Sequence, residues 1–149
     1  MTISFRQAVQ SDVDWLLTRI RKLHSQDHIS VAAPVLRSAV TALIADETRG
    51  RIWLIQDDAT AVGYAVLAYG YSLEFHGRYA FLDELFIEEG YRGRGVGRQA
   101  VQFLLGECGR AGAHALRLEV DRSNTRAQGF YRKAGFIDHD RNLMTKWLS

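Results

Sequence analysis

The sequence predicts an α+β domain built on a mixed, mainly antiparallel sheet. Two segments with helical spacing follow a short N-terminal strand. Three strand-like segments then run in succession between residues 51 and 87, and strand and helix alternate from there to the C-terminus.

The stretch ISFRQA reads as the first strand, with Ile3, Phe5 and Ala8 on its buried side. SDVDWLLTRIRKLH follows as a helix capped by Ser11 or Asp12, with Trp15, Leu16, Ile20 and Leu23 as its apolar stripe. A second helix begins near Pro34, whose fixed φ suits a first turn, and continues through VLRSAVTALIAD. The period then changes. RIWLIQ and TAVGYAVLAYGYSL, separated by an Asp-Asp turn, form an antiparallel pair, and AFLDELFI is a fourth strand apolar enough to be buried on both faces. VGRQAVQFLLGECGRAG returns to helical spacing through Val96, Ala100, Leu104 and Cys108. ALRLEV is a fifth strand, TRAQGFYRKAG a short helix, and FIDHDRNLMTKWL a closing pair of strands. The expected order is β, α, α, β, β, β, α, β, α, β, β.

A chain of 149 residues suffices for one domain and is too short for two ordinary ones, so residues 1–149 are expected to form a single domain. Hydrophobic residues at 47% and charged residues at 24% are the balance of a globular protein, and a single proline gives no sign of a linker. Arg6, Asp12 and Asp14 interrupt the N-terminal segment where a signal peptide needs an apolar run, and no stretch approaches the ~18 apolar residues of a membrane span. A cytoplasmic protein without a membrane partner is expected. The lone Cys108 cannot form an internal disulfide and reads as a packing residue on its helix. No metal site is expected. A net charge of +2 does not by itself imply a polyanion. Arginine supplies 16 of the 19 basic residues, however, and Arg92, Arg94 and Arg98 crowd one glycine-rich loop.

That loop, YRGRGVG at 91–97, lies between a buried strand and a helix start. Free N–H groups in a first helical turn, the helix dipole and glycines that admit close approach together suit an anion. A dinucleotide fingerprint begun at Gly93 or Gly95 lacks its third glycine, because Arg98 or Ala100 stands there. A phosphate loop begun at Gly90 needs lysine where Val96 stands. Both spacings fail, and a pyrophosphate site of another kind is expected.

Arg92-Gly93-Arg94-Gly95-Val96-Gly97 resembles the Arg/Gln-x-x-Gly-x-Gly/Ala signature of the GNAT superfamily of N-acetyltransferases. Asn124, the Phe130-Tyr131 pair and the Gly-Phe that follows are similar to the family's second acetyl-CoA motif, and FLDELFI resembles its fourth strand. The resemblance spans essentially the whole chain and implies a twisted sheet with helices on both faces. It implies acetyl-CoA as co-substrate, with its pyrophosphate held by the backbone from Gly93 to Arg98 and its pantetheine arm along Leu85, Phe86 and Ile87. Asn124 is implied as a cofactor contact, and Tyr131 as a second contact and as the acid that protonates the leaving thiolate. Arg98 stands where a small or hydroxyl residue is common, and Gly129 interrupts the helix that carries Tyr131.

An amine with a pKa near ~10 must lose a proton before it attacks, so a base is needed. Asp83 and Glu84 are the candidates, Asp83 first because it matches the position of a carboxylate in polyamine-acetylating members. Adjacent strand residues point to opposite faces, so only one should face the acceptor unless a bulge re-aims its neighbour. His76 is an exposed loop residue by its context. In the family the acceptor site lies around the first two helices and the third and fourth strands, here about 24–34 and 69–79. Tyr69, Tyr71, Glu74, Phe75 and Tyr79 there suit a cation. The expected acceptor is a small-molecule primary amine: a polyamine, an aminoglycoside or an amino acid. Acetylation of a protein lysine or N-terminus, and a non-catalytic acetyl-CoA sensor, remain alternatives. A nucleic-acid partner is not expected, since its basic patch would coincide with the CoA loop. Many members pair through their terminal strands, which leaves a homodimer open and makes Trp147 either such a contact or a core residue.

Overall fold

The computed structural model describes residues 1–148. In chain order these form β1 (Ile3–Gln7), α1 (Val13–Gln26), α2 (Ala33–Ala45), β2 (Gly50–Asp57), β3 (Thr60–Ser72), β4 (Gly77–Ile87), α3 (Val96–Arg110), β5 (Leu116–Arg117) and α4 (Thr125–Lys133). They divide into two compact units, Met1–Glu119 and the residues from Val120 on. No helix among the described residues is long and apolar enough to cross a membrane.

The first unit holds a five-stranded sheet in the order β1-β2-β3-β4-β5. Its first three pairings are antiparallel and the last, β4 with β5, is parallel, which gives the mixed α+β sheet that the sequence predicts. Alternation along the strands sends successive side chains to opposite faces. Ile52, Leu54, Tyr64, Val66 and Phe86 meet Leu16 and Ile20 of α1 and Leu36 and Val40 of α2 on one face. Ile55 and Val62 meet Val96 and Ala100 of α3 on the other. Phe103 of α3 stacks on Phe5 at 4.3 Å and meets Trp53 edge-on at 5.6 Å, which closes that second layer.

Two bulges break the ladder. Ile55 pairs with Gly63 and Gln56 with Ala61, so Val62 is an extra residue of β3, turned toward α3. Val66 pairs with Glu84 and Leu67 with Leu82, so Asp83 is an extra residue of β4. The second bulge supplies the exception to strict alternation on which the placement of the two carboxylates depends.

Helix starts follow local chemistry. Asp12 accepts from the Val9 N–H at 2.8 Å and from both Arg6 Nη atoms at 3.0 Å, fixing the turn before α1. Pro34 occupies the first turn of α2, as its fixed φ predicts. The second unit is organised around α4. Asn124 Oδ1 accepts from the Ala127 N–H at 3.1 Å as the N-cap, and Gly135, at φ +99°, ends the helix.

Two expectations are corrected. The fifth strand is confined to Leu116–Arg117 instead of spanning ALRLEV, because β5 meets β4 only at Ala80 and Phe81. The expected closing strands do not form: no strand follows α4 among the described residues. Polar groups there bond locally instead, Arg132 donating to Asp138 at 2.8 and 3.1 Å and Arg122 to Asn142 at 3.3 Å. Alternating apolar residues supply a strand pattern, but a ladder also needs a paired backbone.

Candidate active site

Where β5 stops, β4 continues. Beyond Phe81 its outer edge, through Leu85 and Phe86 to Ile87, has no strand partner among the described residues. Main-chain donors and acceptors on such an edge can take an extended ligand as an added strand. The chain then turns through residues 88–95 into α3. Tyr91 ties the turn down, its hydroxyl donating to Asp57 Oδ2 at 2.8 Å.

Gly93 and Gly95 hold φ values of +72° and +83°, the left-handed region that favours glycine. A Cβ built on either meets nothing within 4 Å, so the space beside both glycines is open. Gly95 is the N-cap of α3 and supplies no side chain to the first-turn N–H groups. Those groups, on Val96, Gly97 and Arg98, are the donors an anion would take. Arg92 and Arg94 brace the loop: Arg92 Nε donates to the Ile87 carbonyl at 2.8 Å and Arg94 Nη1 to the Gly90 carbonyl at 3.2 Å. Their guanidinium carbons also lie over the Phe86 and Tyr91 rings, at 5.7 and 5.0 Å. Arg98 is exposed in the first turn of α3. The residues present therefore fit a pyrophosphate at the helix start and an extended arm along β4.

On the face of β4 toward α1 and α2, the bulge lets Asp83 and Glu84 line the same cavity. This cavity of about 110 Å³ is walled by Ile20 of α1, by Leu36, Ala39, Val40 and Leu43 of α2, and by Ile52 and Val66 of the sheet. The two carboxylates differ in company. Glu84 Oε2 lies 2.5 Å from His24 Nε2, and Glu84 Oε1 accepts from the Tyr64 hydroxyl at 2.8 Å. An ionised carboxylate only accepts, so the histidine nitrogen facing it carries the hydrogen. Burial first, and then the Glu84 charge, push the Tyr64 phenol far up, which keeps it a neutral donor. Asp83 is exposed at the cavity and is pushed above the usual aspartate range by partial desolvation, which the nearby His24 opposes.

Sequence reasoning did not single out His24 or Tyr64. His24 extends the spacing of Leu16 and Ile20 by one more helical turn and is 8% exposed, so it lies on the apolar stripe. Tyr64 is fully buried opposite Phe86, two residues along from Glu84. We expect Tyr64→Phe to cost about 1 kcal/mol in chemical denaturation, because it leaves a partly buried carboxylate oxygen without its donor.

Three of the aromatic residues near 69–79 already carry a cation of this chain. Arg78 lies 4.2 Å over the Tyr69 ring, and Arg117 lies 4.1 Å over Phe75 and 5.3 Å from Tyr79, so the chain's own guanidinium groups cover them. Tyr71 is exposed. Cys108 is buried on α3, its thiol pushed up to about 11 by burial, which suits packing rather than nucleophilic use.

Within the second unit, the side-chain oxygen of Asn124 is engaged as the cap of α4. Tyr131 packs edge-on against Phe130 at 5.0 Å and Phe136 at 5.6 Å. Burial raises its phenol above the ordinary value, which favours the protonated form.

The profile of the Acetyltransferase (GNAT) family matches residues 17–136. A thialysine N-epsilon-acetyltransferase of Bos taurus is 26% identical over 145 residues, covering 91% of this chain and 85% of that protein. A crystal structure of an integron cassette protein from the mobile metagenome of Cole Harbour Salt Marsh superposes with a TM-score of 0.84 at 31% identity, covering 97% of this chain and 90% of the other. A predicted acetyltransferase of Clostridium acetobutylicum solved with acetyl-CoA has a TM-score of 0.82 at 18% identity, over 97% and 96% of the two chains.

Proposed function

Because the chain belongs to the acetyltransferase (GNAT) family and is an acetyl-CoA-dependent N-acetyltransferase, we propose that it acetylates a primary amine of a small molecule by direct attack, with Asp83 as the base. The observation that carries this reading is the bulge in β4. It brings two adjacent carboxylates to one cavity, where Glu84 is held by His24 and Tyr64 and Asp83 is left open.

Acetyl-CoA supplies the thioester carbonyl that the amine attacks. The loop from Gly93 to Arg98 binds the pyrophosphate through first-turn N–H groups, and Arg92 and Arg94 hold the loop in shape for it. The free edge of β4 at Leu85, Phe86 and Ile87 orients the arm, with the Ile87 carbonyl already accepting from Arg92. Asp83 takes a proton from the incoming ammonium, directly or through water. Its raised pKa brings it closer to that of the amine than an ordinary aspartate, which improves the transfer. Glu84, paired with His24 and Tyr64, keeps negative potential at the cavity while Asp83 changes protonation state. Asn124 and Tyr131 are assigned by motif to the cofactor, and Tyr131 in addition to protonation of the departing thiolate. The name of the bovine relative, an enzyme of thialysine, supports a small amine as acceptor.

CoA release followed by thiol detection, with acetyl-CoA and a panel of small amines beside a lysine peptide, tests the reading. Release that depends on a small amine supports it; release with the peptide alone would move the acceptor to protein. Tyr131→Phe is expected to lower turnover at least about tenfold with acetyl-CoA affinity nearly unchanged. Equal turnover in that variant would remove the phenol from the mechanism.

A further inference from the structure

Resting on that acetyl-transfer reading, we propose that the acceptor is a monoamine on a short uncharged hydrocarbon arm, its nitrogen at Asp83 and its arm in the cavity between α1, α2 and the sheet. The cavity has a polar end and an apolar body. Asp83 and Glu84 are its only polar lining side chains among the described residues, and they are adjacent on β4. Everything else that faces the space, from Ile20 through Leu36 and Val40 to Val66, is hydrocarbon.

Charge counting narrows the ligand further. Both oxygens of Glu84 already accept, one from Tyr64 and one from His24. Asp83 and Glu84 lie side by side on β4, so no carboxylate stands at the far end of the cavity to meet a second ammonium. A second ammonium carried along the arm would lie against hydrocarbon walls that offer it no acceptor, which is costly. Elsewhere, Arg78 and Arg117 already lie over the Tyr69 and Phe75 rings.

Size sets the length of the arm. A 150 Å³ apolar cavity holds benzene, so about 110 Å³ corresponds to roughly four carbons. A linear or branched butyl group fills a space of that size.

The test compares n-butylamine with 1,4-diaminobutane, which share a four-carbon chain and differ in the second ammonium. With the 149-residue chain and acetyl-CoA, kcat/KM for n-butylamine is expected to exceed that for 1,4-diaminobutane by at least about tenfold. Equal or better use of the diamine would overturn the proposal while leaving acetyl transfer intact. Ala39→Leu adds volume at an exposed α2 position that lines the cavity. It should lower the ratio of kcat/KM for n-butylamine over ethylamine about tenfold, and an unchanged ratio would also count against the arm's placement. Thermal melting with each amine in the presence of CoA supplies a readout independent of turnover. Stabilisation by n-butylamine in preference to the diamine, without acetylation of any amine, would sink the transferase reading and keep the cavity's specificity. Absence of both turnover and stabilisation would overturn the two together.

Discussion

Gly95→Val is expected to weaken acetyl-CoA binding about 100-fold while leaving the protein folded. Gly95 holds φ +83° as the N-cap of α3. Valine is branched at Cβ and disfavours the left-handed region by more than the ~1–2 kcal/mol typical of L-residues. In the ligand-free protein the added Cβ meets nothing within 4 Å, so the strain can relax by turning the loop without disturbing the core. That relaxation re-aims the N–H groups of Val96, Gly97 and Arg98, which are the proposed anion donors. Isothermal titration with acetyl-CoA measures the loss, and the far-UV spectrum checks the fold. Unaltered affinity would show that the cofactor does not use this helix start.

Asp83→Asn is expected to lower kcat by about 10²- to 10⁴-fold with acetyl-CoA affinity preserved. Asparagine keeps the size of the side chain and removes its ability to take a proton. In the parent protein the deprotonated carboxylate is the active form, so kcat falls as pH drops through a pKa that partial desolvation has raised above 3.8. This acidic limb should therefore lie above the ordinary aspartate range and vanish in the variant. The melting temperature at neutral pH should not fall, because the substitution removes a charge that burial disfavours. A variant with full turnover and an unchanged acidic limb would exclude Asp83 as the base.

Much of the candidate anion loop was legible because its determinants are local. Glycines at 93 and 95, a preceding buried strand and a following amphipathic helix fix a left-handed turn into an uncapped helix start within a few residues. The role of the arginines was only half legible: Arg92 and Arg94 bond to backbone of their own loop, a detail that depends on where the Ile87 and Gly90 carbonyls point. The two carboxylates were found by position, but their division of labour depends on register. Nothing in the string LDEL says that Val66 will pair with Glu84 and Leu67 with Leu82. His24 and Tyr64 come from an α1 turn and a neighbouring strand to meet Glu84, a convergence visible only in three dimensions. The cation over Phe75 comes from Arg117 of β5, a contact that likewise depends on the fold. The C-terminal segment shows the converse, a strand-like pattern with no ladder to join.

The bulge at Asp83 has a consequence for how this chain could change over time. Leu82 and Glu84 already pair with consecutive residues of β3, so the ladder counts straight past Asp83. The proposed base sits on the one residue of that stretch whose loss would leave every neighbouring pair matched. Architecture and reactivity are thereby uncoupled at this position: sequence drift can alter, lengthen or delete the reactive group while the strand around it keeps its partners.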